Sequence, residues 1–270
     1  SELPGYLSMT LSYDVNTGKA APYSALTIVS TAAWGLGYFG MPHILLRFMA
    51  IEDEKKLKLS RRVATIWVVI SLFVAVFIGV IGYTMSKVGA LEMLTGSNSE
   101  TIIVKISALL SQHGVIFALL AGVILAGILA STMSTSDSQL LAASSAVSSD
   151  ILGAFRKDSS NKNGSMAAAR ITLLVISVVA AFIARNPDSS VFAIVSFAWA
   201  GFGAAFGPVV LFSLFWKRTN KWGALAGMVC GGSMVFIWKY LIRPLGGIWN
   251  IYELLPAFLI ACAAIVIVSL

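Results

Sequence analysis

The chain of 270 residues is 58% hydrophobic and only 11% charged, with a mean hydropathy of +0.87, which excludes an ordinary soluble domain. Its formal charge of +7 does not signal nucleic acid, because Lys and Arg fall between apolar runs and are not gathered on one face with interleaved aromatics. The two cysteines, Cys230 and Cys262, lie inside apolar segments with no CxxC and no His/Cys cluster, so they read as small packing residues and not as a disulfide or a metal site.

The pattern is that of an all-α polytopic membrane protein. The first residue is Ser1, the opening lacks a basic stretch followed by an apolar one, and the last residue, Leu270, falls inside an apolar run. The chain is therefore expected to be a fragment of a longer protein. Residues 1–23 carry Pro4, Gly5, Asn16, Gly18 and Pro22 and form a polar, turn-rich lead-in outside the bilayer. Segment A covers 24–50, and the charged stretch 51–62 must then lie at a membrane surface. Segment B follows at 63–88. Between it and the next span, Glu100 to Ser111 place Ile102, Ile103, Ile106, Leu109 and Leu110 at helical spacing, which predicts a short amphipathic helix at the interface or over a cavity mouth. Segment C covers 114–147, and a charged loop follows at 150–170. Segments D (171–184), E (191–216), F (222–241) and G (254–270) complete seven spans in one transmembrane domain.

Loops A/B, C/D and E/F hold thirteen of the 19 Lys and Arg residues, and the opposite side holds six, so the first set faces the cytoplasm. The amino end is then outside and the carboxyl end inside.

Two stretches depart from what a spanning helix should look like. In segment A, Trp34-Gly35-Leu36-Gly37-Tyr38-Phe39-Gly40-Met41-Pro42-His43 puts three glycines and a proline at mid-span, which predicts an interrupted helix. Broken backbone in hydrocarbon survives only when buried in protein or lining a polar cavity, and transporters place ligand sites at such breaks. Close packing of small residues against a neighbouring helix is the competing reading. Trp34 and Tyr38, one helical turn apart, are placed to stack over a solute or close a gate, or else to pack.

In segment C, the run from Ser131 to Ser138 holds six hydroxyls and Asp137. Ser131, Ser134 or Thr135, and Ser138 fall on one helical stripe. Hard monovalent cations take neutral oxygens, so two adjacent hydroxyls with the Ser131 carbonyl one turn back make half of a shell for Na⁺; the other half must come from another helix. Ion binding is preferred here over simple helix-to-helix hydrogen bonding. Asp137 reads as a carboxylate hydrated at an inner vestibule, with a part in ion or proton passage as the sharper alternative. His43 and His113 have no partners at metal-ligand spacing. Gly201, Gly203, Gly207 and Pro208 in E, with Gly227 and Gly231 in F, read as close-packing or hinge positions.

The run Trp34-Gly35-Leu36-Gly37-Tyr38-Phe39-Gly40-x-Pro42-His43-Ile44-Leu45-x-Arg47-Phe48-Met49-Ala50 resembles the signature of the sodium:solute symporters in its proline-transporting form. Ile128-Leu129-Ala130-Ser131-Thr132-Met133-Ser134-Thr135, running on to Gln139-Leu140-Leu141 and Ser144-Ser145-Ala146, is similar to the sodium-binding helix of the same family. Met41 stands where many relatives carry Gln. The resemblance implies a LeuT-type inverted-repeat fold, with segments A to E as the second five-helix repeat and F and G as two peripheral helices. It implies Ser134 and Thr135 as side-chain ligands of Na⁺, the coupling ion, with Ser131 as a carbonyl donor. It also implies Trp34, Tyr38 and Pro42, with Gly35 and Gly37 of the same break, in binding the solute, L-proline, and coupling it to sodium. The rest of each site would belong to the missing amino-terminal half.

The expected function is thus sodium-coupled symport of proline across the cytoplasmic membrane by alternating access, with the lipid bilayer as surroundings and no enzymatic activity. The same scaffold carrying pantothenate, a sugar or an anion is the nearest alternative. A seven-helix receptor is weakened by the lack of an extracellular cysteine pair. A membrane enzyme is weaker still, since no nucleophile, His and acid fall together at depth.

Overall fold

A computed structural model describes residues 8, 10–14, 17–151, 162–185 and 190–270. The chain is an all-α polytopic membrane protein, and the strands among the described residues are one short antiparallel pair before the first helix. Among the described residues, five helices are long and apolar enough to cross a membrane: Lys56–Lys87, Val115–Ser148, Met166–Ile183, Val191–Phe215 and Lys221–Leu245. Their outward residues are large and apolar, with Ile66, Trp67 and Phe73 each more than three-fifths exposed, as a face toward lipid requires. The chain divides into two compact units, Ser1–Leu45 with Val195–Leu270, and Leu46–Ile194.

The first unit opens with antiparallel strands β1 (Leu11–Asp14) and β2 (Lys19–Pro22), paired from Leu11 with Pro22 to Asp14 with Lys19. Within the polar lead-in, residues 11–14 and 19–22 thus pair, which turn residues alone did not announce. Helix α1 (Ala25–Ala32) follows, capped by the Ser24 hydroxyl, which accepts from the Thr27 amide at 3.1 Å. A 3₁₀ helix (Ala33–Gly40) and α2 (Pro42–Met49) complete the stretch expected as segment A.

Within this unit, α7 (Val191–Phe215, from Val195 on), α8 (Lys221–Ile237) and α9 (Leu254–Ser269) pack around Ala200, Ala204, Val235, Leu254, Ala257 and Phe258. Asn220 caps α8 by accepting from the Trp222 and Gly223 amides at 3.0 and 2.8 Å. The glycine stripe of α8 lets α9 approach: Gly223 faces Ser269, Gly227 faces Ile265, and Gly231 faces Ala261 and the Ala204 carbonyl. Close packing is therefore the work of Gly227 and Gly231, and of Gly203, Gly207 and Pro208, all buried; Gly201 meets open space. Cys230 and Cys262 are free thiols, half-buried. Helices α8 and α9, expected as segments F and G, pack closely on each other.

The second unit contains α3 (Lys56–Lys87), a 3₁₀ turn (Gly96–Thr101), α4 (Ile102–Ser111), α5 (Val115–Ser145) with a π turn (Ala146–Ile151) at its end, and α6 (Lys162–Ile183). Gly89, at φ +78°, ends α3 in a left-handed residue; its amide returns to the Ser86 carbonyl and that of Ala90 to Met85, at 3.2 and 2.9 Å. The short helix expected from Glu100 begins instead at Ile102, after the 3₁₀ turn. Its Ile102 side chain fills the space over Gly82 of α3, and its Ser107 is buried and bonds back to the Ile103 carbonyl at 2.8 Å. Helix α6 begins nine residues before the apolar run expected as segment D, because Ala167 to Ala169 continue the helix beyond lipid-compatible sequence. The Ser144 hydroxyl, donating to the Ala169 carbonyl at 2.8 Å, ties α5 to α6.

Candidate functional site

The interruption in segment A is built from local chemistry. Gly35, Gly37 and Gly40 lower helix propensity over one stretch, and the backbone there tightens from α to 3₁₀. Pro42 then forbids α conformation at the residue before it, so Met41 is extended at φ −81° and ψ 113°. Pro42 itself is the first residue of α2, where a missing amide costs nothing. The Met41 carbonyl starts the new helix by accepting from Ile44 and Leu45 at 3.1 and 3.0 Å.

The freed backbone is covered by aromatics. Trp199 of α7 donates its indole N–H to the Trp34 carbonyl at 3.0 Å. The Trp34 ring stacks on Trp199, with centroids 5.5 Å apart and planes at 15°, and on Tyr252, at 5.7 Å and 16°. Tyr38 meets Trp199 edge-on at 4.8 Å and leaves half of its surface exposed. Trp34 and Tyr38 thus come together through Trp199. Gly37 lies against the Trp199 indole and the Gly203 backbone, and Gly40 against the Phe202 carbonyl, so neither has room for a side chain. Gly35 is exposed and faces open space, and Pro42, at the start of α2, is exposed as well.

The hydroxyl stripe of α5 sits in unbroken helix. Ser131 and Thr132 both donate to the Ile128 carbonyl, at 3.1 and 2.9 Å; Thr135 donates to the Ser131 carbonyl at 3.1 Å and Ser138 to that of Ser134 at 2.8 Å. Each such hydroxyl has spent its proton on its own helix and keeps its lone pairs outward. The Ser134 hydroxyl bonds to no described residue, and Ser131, Ser134 and Thr135 are all exposed. Asp137 is exposed as well and pairs with no described residue.

Four functional candidates escaped the sequence reading. Trp199 and Tyr252 are the stacking partners of Trp34, far from it in the chain. Tyr252 is fixed at both ends: its amide donates to the Ser30 hydroxyl and its phenol to the Ser196 carbonyl, each at 2.6 Å. Burial raises the phenol above its ordinary pKa, so it stays a donor. Next to it, Glu253 is 1% exposed, bonded to the Arg243 guanidinium at 2.8 Å and 4.0 Å from the Lys239 ammonium, which lies 3.9 Å from the Phe197 ring centre.

In the other unit, Glu100 caps α7. It accepts from the Ser190 hydroxyl at 2.6 Å and from the Val191 and Phe192 amides at 3.0 and 3.4 Å. The Ser190 hydrogen bond, helped by the two amides and opposed by partial desolvation, holds the Glu100 carboxyl below the usual carboxylate range. An acid immediately before an apolar run was the available signal at Glu253, whereas Glu100 caps a helix that begins 91 residues further along the chain.

A family model for the sodium:solute symporter family matches residues 8–231. The chain is 39% identical over 247 residues to the osmoregulated proline transporter OpuE of Bacillus subtilis (strain 168), covering 92% of this chain and 48% of that protein. It is 41% identical over 246 residues to the sodium/proline symporter of Salmonella typhimurium, covering 91% and 47%. It is 39% identical over 246 residues to the sodium/proline symporter of Escherichia coli (strain K12), again covering 91% and 47%. The chain therefore spans about half the length of the curated relatives it matches. No solved structure matches it.

Proposed function

This chain belongs to the sodium:solute symporter family, and we propose that it is part of a carrier that moves L-proline with Na⁺ across the cytoplasmic membrane by alternating access. The proposal extends to the arrangement: seven spans in one transmembrane domain, amino end outside, forming the second repeat of a LeuT-type fold with the first repeat supplied by an amino-terminal half. Relatives named as proline transporters and sodium/proline symporters support this solute and this ion.

The observation that carries the reading is the set of neutral oxygens exposed on α5. Thr135 Oγ1 stands 3.1 Å from the Ser131 carbonyl oxygen, and the Ser134 hydroxyl beside them is unpartnered among the described residues. Hard cations take oxygens at roughly 2.3–2.6 Å, which sets neighbouring ligands roughly 3.0–3.6 Å apart, and this pair suits such a shell. Ser134, Thr135 and the Ser131 carbonyl form one half of the Na⁺ site, and a broken helix of the first repeat forms the other. Trp34, Tyr38, Pro42 and Gly35 face the solute. Gly37 contributes the close approach to Trp199 that holds the break. Sodium binds more tightly to the outward-open state, and that difference is the coupling free energy, commonly about 1–3 kcal/mol.

The test is uptake of labelled proline into vesicles carrying the complete gene product, with and without an imposed sodium gradient. Uptake that follows the gradient, and that unlabelled proline competes away while pantothenate, sugars and inorganic anions do not, is the expected result. Gradient-driven uptake of one of those competitors instead would keep the scaffold and replace the solute.

A further inference from the structure

We propose that Tyr252, on the connector between α8 and α9, is a positioning residue that sets the affinity of the carrier for its solute by holding the Trp34 indole in place. This rests on the reading of Trp34 as a solute-facing residue. Trp34 lies on a 3₁₀ stretch, whose backbone is held by poorer hydrogen bonds than an α helix, so its ring depends on neighbours for orientation. One neighbour is Trp199, on a long helix. The other is Tyr252, on an irregular connector, which can serve as a support only if something fixes it.

Three contacts do so. The Tyr252 phenol reaches the Ser196 carbonyl and its amide the Ser30 hydroxyl, each at 2.6 Å, so the ring is pinned to α7 at its tip and to α1 at its base. Ser30 is one turn before Trp34, so the amide bond and the ring stack grip the same stretch of chain. Behind the ring, the connector is anchored by buried Glu253, which holds Arg243 at 2.8 Å; that guanidinium also donates to Asn250 at 3.2 Å. The hairpin of α8 and α9 thereby reaches the break through one aromatic side chain, and a tilt of that ring would be transmitted to Trp34.

The experiment compares Tyr252→Leu, which keeps apolar bulk but removes the aromatic face, with Tyr252→Phe, which keeps the face but loses the bond to Ser196. Each is made in the complete gene product, and initial rates of sodium-driven proline uptake are normalised to protein in the membrane. An aromatic pair predicts that Tyr252→Leu raises the KM for proline by about fivefold, with maximal rate and half-saturating sodium at saturating proline unchanged within about twofold. Tyr252→Phe is expected to recover the wild-type KM within about twofold. A purely structural role would lower membrane protein or maximal rate in both variants and leave KM alone, and equal KM in the two variants overturns the proposal. If Tyr252→Leu fails to reach the membrane, Ser30→Ala decides, since it frees the base of the ring without touching its face: a two- to threefold rise in KM supports the proposal, and an unchanged KM overturns it. Absence of sodium-driven proline uptake in the unaltered protein would overturn the reading of function itself, whereas normal uptake with indistinguishable variants overturns only this inference.

Discussion

The break around Met41 and the hydroxyl stripe on α5 both bring polar atoms into apolar sequence, and they handle them in opposite ways. At the break the polarity is backbone, which cannot fold away, so it is roofed by Trp199, with Tyr252 and Tyr38 alongside. On α5 the backbone stays helical and the polarity is side-chain hydroxyl, which satisfies its proton one turn back and remains bare outside. An unwound segment needs a partner to exist, whereas a serine stripe can stand open on an intact helix. The first should therefore be sensitive to packing and the second to chemistry.

The largest expected effect is on the chemical side. Ser134→Ala or Thr135→Ala in the complete protein removes an oxygen proposed to bind Na⁺, and should raise the sodium concentration giving half-maximal uptake by roughly ten- to a hundredfold while leaving membrane abundance unchanged. Unaltered sodium dependence in both variants would break the assignment of the stripe.

On the packing side, Gly37→Ala and Gly40→Ala drive a methyl into the Trp199 indole and the Phe202 carbonyl and should cost about 1–3 kcal/mol, read as a lower thermal midpoint of the solubilised protein. Gly35→Ala, two residues away with open space around it, should leave that midpoint in place. Equal behaviour of the three would show that the aromatic roof does not hold the break.

Glu253→Gln should cost about 2 kcal/mol, below the range for fully buried pairs because Arg243 reaches water with two-fifths of its side chain. Combined with Arg243→Gln, the loss should be less than the sum of the two single losses in the same thermal assay.

The smallest effect concerns the Glu100 cap. Its folded pKa is lowered, so the stability it lends is complete above the ordinary glutamate value of about 4.3 and drains away as pH falls through the lower folded value. Amide exchange at Val191 and Phe192, corrected for its intrinsic pH dependence, should stay slow from pH 7 to 5 and speed up only in more acid solution. In Glu100→Gln it should be faster from pH 7 to 5, and the difference from the unaltered protein should close in more acid solution.

What could be read from the sequence follows the range of the forces involved. Glycine propensity and the restriction before Pro42 act within a few residues, and they located the interruption. Hydroxyl spacing on an ideal helix likewise predicted the stripe, and the small residues of α7 and α8 declared close packing before any partner was known. Trp199 and Tyr252 escaped because their roles depend on which rings meet Trp34 from 165 and 218 positions further along the chain, and no local pattern encodes that choice. The pairing of 11–14 with 19–22 escaped because four-residue strands carry too little alternation to read, and the helical start of α6 because charge masked good helix formers.

The tightened winding of Ala33–Gly40 has a mechanical corollary. A 3₁₀ turn rises about 2.0 Å per residue and an α turn about 1.5 Å, so these eight residues carry roughly 4 Å of surplus reach over the same stretch wound as α. Rewinding them would shorten the stretch by about that amount and turn its two ends against each other, a stroke stored in a single run of glycine and aromatic residues.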